Sequence, residues 1–174
     1  MRLQQKMTLL LTCLFLCNQT MLAWDYLVNF DGIDYELSGT EATVMRCPDY
    51  SKEEIVIPSK VFYDGIDYTV SSVGKNAFSG HRELKSIIIP SSVTTIDDYA
   101  FSNCSDLFSL SLPNTVTTLG CYALSGCTNL SSFAIPNSLM SINHHTFSNC
   151  SSLSNITIPN SVISIDDHAF DGCI

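Results

Sequence analysis

Over the second half of the chain, the pattern of hydrophobic and polar positions repeats every 23 residues. In the unit spanning residues 84–106, Ile87 and Ile89 stand two apart, which is the spacing of a strand that buries one face. Pro90 ends this strand because proline has no N–H to give to a ladder. A second apolar segment and a turn follow, and they carry Phe101 back toward the same centre. The pattern predicts one short β-strand and one turn or short helical segment in each unit.

Four columns of side chains keep this step through four units, so the period is not a chance arrangement. The columns are Leu84, Leu107, Leu130 and Leu153; Pro90, Pro113, Pro136 and Pro159; Phe101, Leu124, Phe147 and Phe170; and Cys104, Cys127, Cys150 and Cys173. No unit could bury its apolar side alone, so stacked units must share one core, with neighbouring strands about 4.8 Å apart. The predicted fold is a repeat solenoid of the leucine-rich-repeat type, β-rich with short helical or turn segments and a parallel β ladder.

The region before these units contains the same elements in altered form. Residues 55–58 repeat the strand-plus-proline signature, and Tyr63-Asp64-Gly65-Ile66 carries the Asp-Gly pair of a two-residue hairpin. A nearly identical Phe30-Asp31-Gly32-Ile33 comes 33 residues earlier. We therefore expect a β-hairpin cap over residues 24–54 and the solenoid over residues 55–174. The last unit stops before its next strand, which favours a fragment of a longer array over an end that another molecule completes.

The N-terminal segment has a different character. Arg2 and Lys6 precede an apolar run over residues 7–17, and Ala23 provides a small residue at the end. These features predict a secretory signal peptide over residues 1–23. A membrane anchor is the alternative, but the run is well short of the roughly 20 apolar residues that a bilayer core needs. We expect a secreted or cell-surface protein that does not span the membrane.

The net charge of the chain makes one class of partner, nucleic acid, unfavourable. The chain has 8 basic and 17 acidic residues, a net charge of −9. Without residues 1–23, which include Arg2 and Lys6, six basic residues stand against 17 acidic ones and the net charge is −11. Binding to nucleic-acid phosphates needs a basic surface, so nucleic acid is disfavoured.

Two sets of outward positions are candidate surfaces for a protein partner. One is an aromatic column at the rim of the coil, formed by Tyr99, Tyr122, His145 and His168. The other is the solvent side of the strands, which carries Ser86, Ser109, Ser132 and Asn155 in one column and Ile88, Ser111, Ala134 and Thr157 in the next. Tyrosine is favoured in binding surfaces, and small hydroxyl-rich columns suit broad contacts with a protein or a glycan. The alternative for both sets is an ordinary solvent-facing surface.

The sequence pattern gives little support for a catalytic site or a metal site. The pairs Asp97-Asp98 and Asp166-Asp167 recur at equivalent positions, whereas a catalytic pair needs two different environments. A zinc site could be drawn from His145 and His168 beside Asp166 or Asp167, but zinc requires three or four converging ligands. No Gly-x-Ser-x-Gly elbow or phosphate loop is present. We expect no enzyme activity, no cofactor and no metal.

The cysteine column is predicted to consist of buried thiols. Export permits disulfides, so a disulfide and, less readily, a metal site are the alternatives. Cys47 and Cys121 lie outside the column. Asn-x-Ser/Thr glycosylation motifs occur at Asn103, Asn129, Asn149 and Asn155.

The repeating unit reads Leu-x-x-Ile-x-Ile-Pro-x-Ser-Val-x-x-Ile-x-x-x-Ala-Phe-x-x-Cys. This motif resembles that of the BspA-like leucine-rich-repeat surface proteins, most closely over residues 84–106 and 153–173. The resemblance implies an exported or surface-displayed protein, since several members act as adhesins toward host matrix proteins or neighbouring cells, and it implies no catalytic residues. Departures from the motif are Leu124 in place of Phe, Thr146 in place of Ala and His81 at the first cysteine position.

The leading functional hypothesis is a secreted or cell-surface binding and adhesion module that contacts a protein partner through the repeat surface. Affinity would then grow with repeat number through many weak contacts. A structural spacer without its own ligand is the second hypothesis, and an enzyme is the remote one.

Overall fold

The computed structural model describes residues 26–173, and the predicted signal peptide over residues 1–23 lies outside them. Within the described residues the chain forms fourteen short β-strands joined by turns, and no helix is present. The strands are β1 (Tyr26–Phe30), β2 (Ile33–Ser38), β3 (Glu41–Arg46), β4 (Glu54–Val56), β5 (Lys60–Tyr63), β6 (Ile66–Val73), β7 (Ser86–Ile88), β8 (Thr95–Ile96), β9 (Ser109–Ser111), β10 (Thr118–Leu119), β11 (Ser132–Ala134), β12 (Ser141–Ile142), β13 (Asn155–Thr157) and β14 (Ser164–Ile165).

Each 23-residue unit forms one coil with two strands. We number the coils 1 (residues 84–106), 2 (107–129), 3 (130–152) and 4 (153–173). The first strands of successive coils form parallel ladders in the order β4-β7-β9 and β11-β13, and the second strands pair as β6-β8-β10 and β12-β14. The predicted solenoid with a parallel β ladder is confirmed, and turns rather than helices connect the strands.

Both ladders are interrupted between coils 2 and 3, where β9 does not pair with β11 and β10 does not pair with β12. Elsewhere the backbone N–H after the second strand donates to the preceding coil, as Gly120 does to the carbonyl of Ile96 at 2.8 Å. At the interruption, the Asn143 side chain donates to the carbonyl of Leu119 at 2.7 Å instead. The amide side chain thus supplies the hydrogen bond that the backbone does not make there.

The turns form a third ladder, which continues past that interruption. The N–H groups of Phe78, Phe101, Leu124 and Phe147 donate to the carbonyls of Ala100, Ala123, Thr146 and Ala169 at 2.8–2.9 Å. These bonds run toward the following coil, whereas the N–H groups of Lys85 and Phe108, just before β7 and β9, donate to the preceding one. Hydrogen bonds in both directions along the axis hold each coil to its two neighbours.

The core lies inside the coils and is built from the columns that define the repeat. The rings of Phe78 and Phe101 stack with centroids 5.4 Å apart, and those of Phe147 and Phe170 stack at 5.3 Å. Leu124 occupies the same column between these two pairs and is fully buried. The substitution at Leu124 therefore fills the core but interrupts the ring stack.

The hydroxyl in the Pro-x-Ser-Val part of the motif has a structural role. In three successive turns the side chain donates to a carbonyl of the preceding coil: Ser92 to Val70, Thr115 to Val93 and Ser138 to Val116. Serine and threonine suit this position because their hydroxyls satisfy a backbone carbonyl of the neighbouring coil.

The N-terminal end is covered by an antiparallel meander of β1, β2 and β3, and β3 pairs in parallel with β6. Both Asp-Gly pairs form two-residue hairpin turns with positive φ, 50° and 80° at Asp31 and Gly32 and 48° and 81° at Asp64 and Gly65. This meander lies beside β6 at the N-terminal end of the stacked coils, where the sequence predicts the β-hairpin cap over residues 24–54. The first solenoid strand, β4, begins at Glu54.

The core is less covered in coil 4. Ile158 and Ile165 are 42% and 49% exposed. Their equivalents one coil earlier, Ile135 and Ile142, are 7% and 0% exposed. In the solenoid, each coil's apolar residues are thus covered by the coil that follows.

Candidate functional site

The aromatic column forms a continuous stack of rings, which we call the rim stack (Tyr99, Tyr122, His145 and His168). Successive ring centroids are 4.7, 4.5 and 4.8 Å apart, and the ring planes lie within 13° of parallel. The stack follows the strand spacing and spans about 14 Å over three coil steps. The structure therefore brings together all four residues of the predicted strip.

Each residue of the rim stack has a left-handed backbone, with φ between 54° and 58°. This conformation is uncommon for non-glycine residues. In this conformation the backbone joins the turn ladder, in which the N–H of Tyr99 donates to the carbonyl of Cys121 and the N–H of Tyr122 to that of His144, both at 3.0 Å. Asn76, at the equivalent position before coil 1, has φ 59° and makes the same kind of bond. Packing of the rings offsets part of the backbone strain.

The stack presents ring edges rather than ring faces, because each face is covered by its neighbour. The Lys75 ammonium lies 6.0 Å from the Tyr99 ring centroid and covers the first face. The last ring, His168, is exposed. Phenol hydroxyls and imidazole nitrogens at the ring edges are the groups that a partner could contact.

Carboxylates flank the rim stack at both ends. Asp98 lies 3.9 Å from the Lys75 ammonium, and Asp166 lies 3.8 Å from His144 Nε2. Asp171 lies 3.8 Å from His168 Nδ1. In residues 26–173, no three His, Cys, Asp or Glu side chains converge to hold a metal ion, so the geometry gives the zinc alternative no support.

The second predicted surface, the strand face, is formed by the outward side chains of β7, β9, β11 and β13. Ser86 pairs in register with Ser109, and Ser132 with Asn155. The neighbouring column begins with exposed apolar residues, since Ile88 is 61% exposed beside Val56 at 65%, and it continues with Ser111, Ala134 and Thr157. The strand face is therefore mixed, and the interruption between β9 and β11 divides it into two sheets.

The sequence reasoning missed a second row of hydroxyls on the other ladder. Thr43, Ser72, Thr95 and Thr118 occupy one register line across β3, β6, β8 and β10. Beside it lies a groove of about 320 Å³ that includes Glu41 and Asp97. The signal was the Thr-Thr pair before Ile96 and Leu119, which recurs one period apart. Strands β8 and β10 have only two residues each, so the alternation of polar and apolar positions that marks a strand cannot be seen there.

The cysteine column consists of free thiols that are hydrogen-bonded. Sγ atoms of Cys104, Cys127, Cys150 and Cys173 lie 3.1–3.2 Å from the carbonyl oxygens of Phe78, Phe101, Leu124 and Phe147. Burial raises the pKa of Cys104 and of Cys150 to about 12, and it raises the pKa of Cys127 as well. Cys47 and Cys121, outside the column, are also free.

We expect the buried thiols to resist alkylation in the folded chain. Thiolate is the reactive form, so a pKa raised from 9.0 to about 12 slows the reaction of Cys104 and Cys150 at pH 8 by more than about a hundredfold relative to the same thiols in the unfolded chain. Cys121 is only partly buried. Iodoacetamide labelling followed by peptide mass spectrometry measures this ratio, and labelling in guanidinium is the control in which all sites react. Equal rates at Cys121 and Cys127 in the folded chain would contradict the buried hydrogen-bonded column.

His81 takes the first position of the cysteine column and performs a different task. Its imidazole is fully buried, its Nε2 lies 2.9 Å from the carbonyl oxygen of Asp49, and its ring lies 5.2 Å from that of Tyr50. Burial lowers the pKa of His81, which favours the neutral ring. This departure from the motif ties the segment after β3 to the turn just before coil 1.

The predicted glycosylation motifs all lie at the surface. All four asparagines, Asn103, Asn129, Asn149 and Asn155, are exposed, and Asn103 and Asn149 have left-handed backbones with φ 59°. Residues 26–173 contain no helix that is long and apolar enough to cross a membrane.

Stacked coils with two parallel strand ladders, a turn ladder and a thiol column define a solenoid of the leucine-rich-repeat class. Residues 53–174 match the family model of the BspA type leucine rich repeat region in six copies. The chain belongs to this family, and the resemblance seen in its motif is confirmed. No curated protein matches the chain.

Three solved structures illustrate the relationship. The leucine-rich repeat protein TpLRR of T. pallidum is 30% identical with a TM-score of 0.75, over 84% of this chain and 67% of that one. A leucine-rich cell surface protein from Faecalibacterium prausnitzii A2-165 is 26% identical with a TM-score of 0.69, over 85% of this chain and 46% of that one. The pneumococcal vaccine antigen PcpA, at 22% identity and a TM-score of 0.61, shares the fold over 87% of this chain and 49% of that one. This chain thus spans less than half the length of the F. prausnitzii protein.

Proposed function

We propose that the chain is an exported, surface-located module that binds a protein partner through the rim stack, without catalysis. The observation that carries this proposal is the unbroken stack of Tyr99, Tyr122, His145 and His168 at the rim. Surface location is supported by the predicted signal peptide and by the similarity to the F. prausnitzii cell surface protein. The partner is expected to be a host matrix protein or a protein of a neighbouring cell.

The rim stack is suited to binding because its four rings are held in fixed positions. Each ring is held by its stacked neighbours, and the backbones of Tyr99 and Tyr122 are hydrogen-bonded to the following coil, so few rotamers are lost when a partner contacts the stack. Tyrosine combines a large contact area with a hydroxyl that can hydrogen-bond. The strand face supplies further contacts of lower energy, because its side chains are small.

Replacing Tyr122 and His145 together by asparagine tests this proposal. Asparagine tolerates the left-handed backbone, as Asn76 does at the equivalent position, so the turn ladder is kept while two rings are removed. We expect at least about a tenfold loss of affinity for immobilised extracellular-matrix proteins or intact cells, measured by biolayer interferometry and adhesion counts.

A matched variant, Ser109→Ala with Ser132→Ala on the strand face, is expected to change affinity by less than about threefold. Thermal melting of each variant verifies the fold. Unchanged binding by the rim variant would refute the role of the rim stack, and absence of binding by the unaltered chain would leave the spacer hypothesis.

A further inference from the structure

A site for one small ligand must differ from the equivalent positions in the other coils, because identical coils would offer the same site several times. It therefore needs a polar group that departs from the repeat. Such a break occurs beside the turns, in the column that contains Ser105 and Thr128. One period before Ser105 this column holds Arg82, a cation in place of a hydroxyl. Arg82 is exposed in the turn just before coil 1.

Arg82 is the cationic side chain without a partner in the described part of the chain. The other five basic residues of that region each contact an acceptor: Arg46 with Asp34, Lys52 with the carbonyl of Asp31, Lys60 with Asp67, Lys75 with Asp98 and Lys85 with Glu53. No carboxylate of residues 26–173 pairs with the Arg82 guanidinium, although the chain is acidic. Its N–H donors can therefore all bind an anion from outside the chain.

Arg82 stands at one end of a groove of about 320 Å³ that runs along the axis across coils 1 to 3. The other polar groups that line this Arg82 groove are the amides of Asn103 and Asn149 and the hydroxyls of Ser105, Ser125 and Thr128. Amide nitrogens of Asn103 and Asn149 donate to the hydroxyls of Ser102 and Ser148, at 3.2 and 3.4 Å. Each amide therefore retains a second N–H and its oxygen for a ligand.

Gly126 makes room for the Asn103 side chain in the groove. Its φ is +77°, and a Cβ atom there would lie 2.5 Å from the Asn103 side-chain oxygen. Any other residue would displace Asn103 from the groove. Asn103, Gly126 and Asn149 follow one another at the 23-residue step, and all three have positive φ.

We propose that the Arg82 groove binds a saccharide that carries a carboxylate. The planar guanidinium pairs with a carboxylate through two parallel hydrogen bonds. Amides and hydroxyls along the groove match the hydroxyls of the adjoining sugar rings, which both donate and accept. No large aliphatic or aromatic side chain lines the groove to anchor a side chain of a peptide. The 17 acidic residues repel long polyanions, so a short saccharide with an isolated carboxylate fits better than a sulfated or nucleic-acid polymer.

The test uses oligosaccharides that end in glucuronic acid and their carboxyl-reduced counterparts that end in glucose, measured by saturation-transfer NMR and calorimetry. The unaltered chain is expected to bind the acid form at least about tenfold more tightly than the reduced form. Arg82→Gln should weaken binding of the acid form by at least about tenfold and leave the reduced form unchanged. Lys85→Gln, which removes an exposed cation that pairs with Glu53, is the matched control and should retain binding within about twofold.

Three results would overturn the proposal: no binding of the acid form, equal binding of the acid and reduced forms, or equal binding by the unaltered chain and Arg82→Gln. Because Arg82 is exposed, its replacement is not expected to affect folding. The groove and the rim stack are separable, since Arg82→Gln should leave matrix-protein binding unchanged. The Tyr122 and His145 variant should leave saccharide binding unchanged, so the failure of one proposal is distinguishable from the failure of the other.

Discussion

Gly120→Ala is expected to destabilise the chain by about 3 kcal/mol, the upper part of the range for overpacked sites. A Cβ atom at Gly120 would lie 2.4 Å from the Asp98 nitrogen and 2.5 Å from the Asp97 carbonyl carbon. Both are backbone atoms of the preceding coil, so no side-chain rotation relieves the clash. Chemical unfolding followed by circular dichroism measures the change as a lower denaturant midpoint.

Gly39→Ala is the matched control for this effect. Gly39 has φ +61° in the turn between β2 and β3, and an added Cβ atom would meet no heavy atom within 4 Å. We expect only backbone strain there, about 1 kcal/mol. Equal losses of stability in Gly120→Ala and Gly39→Ala would show that the close approach of the coils is not the reason for glycine at position 120.

The Gly120→Ala substitution is also expected to disturb the rim stack. Gly120 is followed by Cys121, whose N–H donates to the Asp98 carboxylate at 2.9 Å, and then by Tyr122. A coil pushed away at Gly120 moves the Tyr122 ring relative to Tyr99. Partner binding by Gly120→Ala should therefore fall together with stability, which distinguishes this variant from the asparagine variant of the rim stack.

Phe101→Ala is expected to destabilise the chain by about 3–5 kcal/mol, the range for removing a buried aromatic ring. Phe101 is fully buried, and its ring lies parallel to that of Phe78 within 2°. The solenoid ladders on both sides of coil 1 hold the neighbouring backbones in place, so the cavity cannot collapse readily. The free energy of unfolding from urea titration gives the size of the effect.

Phe170→Ala removes the same side chain from the same column in coil 4. Phe170 is only partly buried and stacks on one ring, Phe147. Its replacement should destabilise the chain by about half as much as Phe101→Ala, because less apolar area is lost and less cavity is left. A loss at Phe170 equal to that at Phe101 would mean that coil 4 contributes to the core as fully as coil 1.

Much of the fold could be predicted from the sequence because its signals are local. Proline ends each first strand at Pro90 and its equivalents, and Asp-Gly fixes the two hairpins through a backbone conformation that few other pairs adopt. The 23-residue period then requires stacked coils, since each coil's apolar side needs a neighbour. The aromatic column at Tyr99 and Tyr122 follows from the same period.

The environment of each column depended on how the coils stack. The sequence placed the thiols in one column but could not show that each donates to a carbonyl 26 residues earlier. It placed the rings at the rim but could not show that a left-handed backbone stacks them face to face, so that only edges remain outside. Such features depend on distances between coils, which no single unit encodes.

By itself, the sequence determined a leucine-rich-repeat solenoid with a hairpin cap and placed a strip of tyrosines and histidines on its surface. Only the tertiary structure decided that the ladders are interrupted between coils 2 and 3, that Gly120 touches the preceding backbone and that Arg82 shares a groove with Asn149. The physical reason is one of range. Strand ends and turns are set by neighbouring residues along the chain, whereas contacts between residues one or more periods apart are set by the close approach of the backbones in successive coils.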